Sequence, residues 1–86
     1  MIIDNQIAIV TGAGSGLGEA AARRLAAQGA RVAVLDRSLE AAQAVAGDIG
    51  GLALGADVTD QAAVEAAFAE IQAQWGAAPR IALNCA

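Results

Sequence analysis

Four glycines fall within seven residues, at Gly12, Gly14, Gly16 and Gly18. A tight turn needs only one or two of them. The others ask for a further reason, and phosphate chemistry supplies one. A pyrophosphate needs backbone N–H groups exposed without Cβ atoms in the way, and a helix N-terminus aimed at it. Gly12 would then turn the chain, Gly16 would let the backbone approach the phosphates, and Gly18 would let the next helix pack closely. Ser15 offers a hydroxyl to a phosphate or ribose oxygen. A second candidate group is Asp36, eighteen residues after Gly18. A carboxylate at that distance accepts hydrogen bonds from the ribose hydroxyls of an adenosine. It also repels a 2′-phosphate by like charge, which favours NAD over NADP. Arg37, next in line, leaves the other choice open, because a guanidinium can pair with a phosphate. The plainer readings are that Arg37 is a solvated helix-entry residue and that Asp36 is a turn or cap.

The elements that must position these groups show in the apolar rhythm. Residues 6–10, 31–35, 52–56 and 80–84 are short, nearly continuous apolar runs, as strands covered on both faces would be. Between them lie Ala-rich stretches. A first helix is expected over about 17–28 with Gly29 beyond its end, and a second over about 39–46 with Ser38 as N-cap. A third follows Thr59 as N-cap and places Val64, Phe68, Ile71 and Trp75 at spacings of four, three and four, on one face. That spacing predicts that Phe68 and Trp75 pack into a core. Gly76 and Pro79 end the helix. The order β-α-β-α-β-α-β implies an α/β fold with a parallel sheet and right-handed crossovers. Strands 3, 2 and 1 then lie in a row, and a fourth strand beyond strand 1 would open the crevice in which such folds bind dinucleotides. The glycine loop therefore stands where a phosphate-binding loop must, between a strand and a helix.

Composition removes most other chemistries. The chain has 86 residues and a net charge of -4. Its single Cys, Cys85, cannot form an internal disulfide, and with no His it builds no structural zinc site. There is no His, Tyr or Lys to act as a general base, acid or amine nucleophile. An acidic chain is a poor nucleic-acid binder. No apolar run approaches the roughly 20 residues that span a bilayer. The opening residues lack the charged and apolar regions of a signal peptide, so a cytoplasmic location is expected.

Thr11-Gly12-Ala13-Gly14-Ser15-Gly16-Leu17-Gly18 resembles the TGxxxGxG loop of the short-chain dehydrogenases/reductases. Asp57-Val58 resembles the pair that contacts adenine in that family, and Asn84-Cys85-Ala86 resembles the start of its NNAG motif, with Cys in second place. The resemblance implies a Rossmann-type doubly wound parallel sheet, of which residues 1–86 form the N-terminal β-α-β-α-β-α-β portion. It implies that Gly12, Ser15, Gly16, Leu17 and Gly18 form the cofactor loop, and that Asp36 selects NAD. Asp57 would accept from the adenine amino group, and the Val58 backbone would pair with an adenine ring nitrogen. Asn84 would tie neighbouring strands beneath the cofactor, and Cys85 and Ala86 would lie against a ribose. Three structural alternatives stay open: that Asp57 caps the third helix, that Val58 is core, and that Cys85 is a small buried hydrophobe. The Asn-Cys-Ala segment and the Ile-Ala-Ile-Val-Thr-Gly opening are most similar to the type-2 3-hydroxyacyl-CoA dehydrogenases of the family.

The family's catalytic Ser and its Tyr-x-x-x-Lys motif have no counterpart here, so no catalytic residue is assigned. The expectation is that residues 1–86 are the dinucleotide-binding part of a longer oxidoreductase, which passes hydride between NAD and an alcohol, ketone or acyl-CoA substrate and assembles as a dimer or tetramer. Alone, the chain is expected to be unstable, with an unprotected fourth strand, and to have no dehydrogenase activity. The alternative is a stand-alone or split-chain dinucleotide-binding module without catalysis. No metal, nucleic acid or membrane is expected as a partner.

Overall fold

The computed structural model describes residues 5–85. Seven elements alternate along it: β1 (Ile7–Thr11), α1 (Gly16–Ala27), β2 (Arg31–Asp36), α2 (Leu39–Ile49), β3 (Leu52–Gly55), α3 (Gln61–Trp75) and β4 (Ile81–Asn84). The strands form one sheet in the order β3-β2-β1-β4, with every pairing parallel. This is the Rossmann-type arrangement, and the fourth strand, which the alternation of elements alone does not place, lies beyond β1.

The period of two explains why the strands are apolar throughout. Ile7, Ile9, Ala33 and Leu35 turn to one face and pack with Ala67 and Ile71 of α3. Val10, Val32 and Val34 turn to the other and pack with Ala22 of α1 and Ala42, Val45 and Ala46 of α2. Right-handed crossovers require this split. The steps from β1 to β2 to β3 run in one direction and place α1 and α2 on the same side. The return from β3 to β4 places α3 on the other. The outer strand β4 is half-buried at Ile81 and exposed from Ala82 to Asn84.

Three details differ from the sequence expectation. First, α2 runs on to Ile49, past the Ala46 predicted as its end. Gly47 does not stop it, and Asp48 in its last turn receives Arg23 of α1 at 2.9 Å, so the extension is tied to a neighbouring helix. The stop is Gly50, at φ 69°. Ser38 caps the helix as predicted, accepting from the Ala41 N–H at 3.2 Å. Second, the N-cap of α3 is Asp60, which accepts from the Ala63 N–H at 3.2 Å, and not Thr59. Thr59 turns back to Asp57 instead. Third, Phe68 is 42% exposed. The buried positions of α3 are Ala67 and Ile71, with Trp75 half-buried beside them. The buried face is shifted by one residue at this turn, from Phe68 to Ala67. Trp75 keeps a partner at its outer surface, the Arg31 guanidinium 4.8 Å from the ring centroid.

Candidate functional site

Parallel strands end together, and their ends carry the chemistry. Thr11 stands opposite Leu35 of β2 and Asn84 of β4. Beyond the strands, the ladder continues by single backbone bonds. Ala13 N–H donates to Leu35 O (3.1 Å), Ala56 N–H to Asp36 O (3.0 Å) and Cys85 N–H to Thr11 O (3.1 Å). Each loop is thus anchored to the neighbouring strand before it is free to wander. Thr11 adds a side-chain tie, its hydroxyl donating to Asn84 Oδ1 at 2.9 Å.

An open cleft of about 560 Å³ lies across these ends. The glycine loop contributes Gly12, Ser15, Gly16 and Leu17; β2 and its exit contribute Leu35, Asp36 and Arg37; the turn after β3 contributes Ala56, Asp57, Val58 and Thr59; Cys85 closes the far side. Eight of the eleven residues singled out from the sequence therefore meet in one cavity. Gly18 is buried beneath the loop. Asn84 lines a separate apolar groove of about 210 Å³ between α3 and β4, which it shares with Phe68, Leu83 and Val58. Ala86 lies outside the described residues.

The loop leaves its backbone open to the cleft. Gly16 sits at φ 61°, and a Cβ there would meet nothing within 4 Å, so the space above it is open while the backbone excludes ordinary side chains. The next helix begins here, with Ser15 at its N-cap making no side-chain capping bond. The first-turn N–H groups of α1 are therefore not satisfied by a cap and lie at the positive end of a helix dipole. A Cβ on Gly18 would overlap the Gly12 carbonyl oxygen. Only glycine brings α1 this close to the loop. These residues fit a diphosphate. Leu17 is 85% exposed beside them, a large apolar side chain at the cleft mouth.

Both oxygens of Asp36 are engaged by backbone: Oδ2 accepts from Gly14 N–H and Oδ1 from Ser38 N–H, each at 3.0 Å. Asp57 is held by its own turn. Its Oδ1 accepts from the Thr59 N–H at 2.9 Å and the Thr59 hydroxyl at 2.7 Å, while Arg37 Nε stands 3.8 Å from Oδ2. Asp57 does not cap α3, Val58 is 38% exposed rather than core, and Cys85 is exposed rather than buried. Thr59 and Arg37 carry contacts that the sequence reading left unassigned. The signal for Thr59 is its place two residues after an Asp, the spacing of a local side-chain turn.

The Thr59 donors hold the Asp57 carboxyl below the usual aspartate range, first through its N–H, then through its hydroxyl, with Arg37 adding attraction. A carboxyl lowered in the folded state contributes stability above its unfolded pKa, and loses it as pH falls through the folded value. Thr59→Ala removes the hydroxyl donor and keeps the N–H. The Asp57 titration, followed by carboxyl ¹³C shift, is expected to move upward toward the ordinary aspartate value. An unmoved midpoint would show that the hydroxyl bond has no electrostatic weight.

Among the described residues, no group of three or more His, Cys, Asp or Glu is placed to hold a metal ion, and no helix is long and apolar enough to cross a membrane.

Known proteins share both sequence and fold. Sorbitol dehydrogenase of Cereibacter sphaeroides is 41% identical over 88 residues, covering 100% of this chain and 34% of that protein. The solved 3-ketoacyl-(acyl-carrier-protein) reductase of Brucella melitensis, complexed with NADH, is 41% identical with a TM-score of 0.85, over 88% of this chain and 32% of that one. A Brucella melitensis 16M structure described as ribose-5-phosphate isomerase reaches 48% identity and a TM-score of 0.89, over 96% of this chain and 32% of that one. Its description names a different chemistry, so likeness of fold does not choose a substrate. The chain spans about a third of the length of these relatives. The sequence pattern described as short chain dehydrogenase matches residues 6–85, which include the glycine loop, Asp36, the Asp57 turn and Asn84. With that match over nearly the whole chain and the parallel β3-β2-β1-β4 sheet beneath it, the chain belongs to the short chain dehydrogenase family.

Proposed function

We propose that residues 1–86 are the NAD-binding, N-terminal part of a Rossmann domain, in a cytoplasmic oxidoreductase that transfers hydride between NAD and an alcohol or ketone. The observation that carries this reading is the single cleft into which the glycine loop, Asp36 and the Asp57-Val58 turn all open. NAD, when bound, supplies the hydride acceptor. The chain's own residues bind and orient it. The N–H groups around Gly16 and the start of α1 hold the diphosphate, with Ser15 adding a hydroxyl. Asp36 accepts from the adenosine ribose hydroxyls. Asp57 and the Val58 backbone read the adenine edge at the other end of the cleft. Leu17 covers the cofactor from the solvent side, and Cys85 borders the second ribose. Asn84, bonded to Thr11, fixes β4 to β1 beneath them.

The proton-transfer groups are proposed to lie outside residues 1–86, which hold no His, Tyr or Lys. The substrate proposed is a secondary alcohol or its ketone. Sorbitol dehydrogenase and the acyl-carrier-protein reductase bracket the class, and 3-hydroxyacyl-CoA is the specific candidate from the Asn84-Cys85-Ala86 segment. A dimer or tetramer is the proposed assembly.

Titration of the protein that carries this chain with NADH and NADPH, followed by nicotinamide fluorescence, tests the reading. NADH is expected to bind at least about tenfold more tightly, since a 2′-phosphate brought against the Asp36 carboxylate costs on the order of 1.4 kcal/mol or more. Equal or tighter NADPH binding would mean that Arg37, 80% exposed in its side chain, outweighs Asp36.

A further inference from the structure

Asp36 does more in the structure than face a ribose. It stands half-buried at the end of β2, and its two oxygens bond two different segments. Oδ2 takes the N–H of Gly14 in the glycine loop, 22 residues earlier in the chain, and Oδ1 takes the N–H of Ser38 at the entry to α2. Ser38 in turn caps α2 by accepting from Ala41 N–H. The circle closes at Gly14, where an added Cβ would stand 2.7 Å from Ala41 Cβ and 3.0 Å from Asp36 Cγ. The loop is therefore pressed against the start of α2 with the carboxylate between them.

We infer that Asp36 is a positioning residue for the diphosphate as well as a partner for the ribose: its bond to Gly14 N–H sets the glycine loop in its binding shape before ligand arrives. This rests on the reading of the cleft as an adenine dinucleotide site. The two roles do not compete. A carboxylate has about four lone-pair sites, of which the backbone uses two, so ribose hydroxyls can be added without releasing Gly14. Asparagine cannot do the same. Its amide offers one oxygen and presents an NH₂ to the second N–H, so one of the two backbone donors loses its acceptor. An unmade bond to a partly buried donor costs more than the bond itself contributes in water.

The test separates the roles by removing the ribose hydroxyls from the ligand. ADP and 2′,3′-dideoxy-ADP are titrated calorimetrically into the protein that carries this chain and into its Asp36→Asn and Asp36→Ala variants. Amide hydrogen exchange at Gly14 and Gly16 is measured in the ligand-free proteins. Wild type is expected to bind both ligands and to protect Gly14 more than Gly16. The variants are expected to lose about tenfold in affinity for dideoxy-ADP as well as for ADP, and to lose Gly14 protection. If the variants weaken ADP but bind dideoxy-ADP as wild type does, Asp36 acts on the ribose alone and the inference is overturned. If the variants do not fold, wild-type exchange decides: Gly14 exchanging as freely as Gly16 overturns it, and selective protection supports it. If wild type binds neither ADP nor dideoxy-ADP, the reading of the cleft fails first and the inference with it.

Discussion

Replacing Gly18 with alanine is expected to cost about 1–3 kcal/mol of stability and to weaken NADH binding at least about tenfold. The reason is where the added methyl would go. It would overlap the Gly12 carbonyl oxygen, with Gly12 C at 2.7 Å and Ala13 Cα at 3.0 Å. All three are backbone atoms of the turn that leaves β1, so no side chain can swing aside. Either α1 lifts away from the loop or the turn opens. In both cases the N–H groups around Gly16 leave the line of the helix axis, and the proposed diphosphate site loses its shape. Gly47→Ala is the internal control. It lies inside α2, its added Cβ meets nothing within 4 Å, and it relieves a helix of glycine's backbone entropy. That change is expected to stabilise by about 0.5–1 kcal/mol. Urea unfolding of both variants beside wild type reads the two signs. Equal small effects would mean that the contact between α1 and the Gly12 turn carries no weight.

Glycines of the same residue type thus have opposite expected substitution signs, and only one kind was readable from sequence. The dense cluster at 12–18 marks itself, because local turns do not need so many glycines. The direction of its constraint, that Gly14 faces Ala41 and Asp36 while Gly18 faces Gly12, is a matter of tertiary approach. The same division runs through the fold. Alternation and crossover handedness put strands 3, 2 and 1 in a row, so that much of the sheet was legible; the place of β4 beyond β1 was not readable from alternation alone. The end of α2 was not, because Gly47 lies inside the helix while Gly50, at φ 69°, ends it, and the sequence does not say which glycine takes the left-handed turn. At the cleft, the spacing from Gly18 to Asp36 located the carboxylate. It could not show that both carboxylate oxygens are bonded to backbone, or that Thr59 leaves the capping position to hold Asp57. Those bonds join residues through space, or choose between two adjacent residues that can both cap, of which Asp60, the stronger type, takes the place.

Ile71→Ala is expected to destabilise the fold by about 2–5 kcal/mol, the cost of an empty space in a core that cannot close around it. Ile71 is 0% exposed and packs against Ile7, Ile9, Ala33 and Leu35 from the one helix on that face of the sheet. Only Ala67 is buried with it on α3, and an alanine supplies little area of its own. Periodicity placed Phe68 and Ile71 on one face as equals, but the 42% exposure of Phe68 leaves Ile71 as the side chain that seats α3. Against a total stability of about 5–15 kcal/mol for an ordinary domain, this one truncation is a large fraction. Its consequence reaches the cleft. The turn from Asp57 to Asp60 runs directly into α3, whose first turn Asp60 caps, so a helix that rocks on the sheet carries with it the end of the cleft proposed to face the adenine. Ile71→Ala is therefore expected to weaken NADH binding even under conditions where the variant remains folded. Gln72→Ala, one position along on the exposed side of the same helix, is expected to stay within about 0.5 kcal/mol of wild type. Chemical denaturation with both variants, and NADH titration of whatever remains folded, measures each step. A small loss at Ile71 would mean that α3 is held mainly by Trp75, one turn further on, and its Arg31 contact.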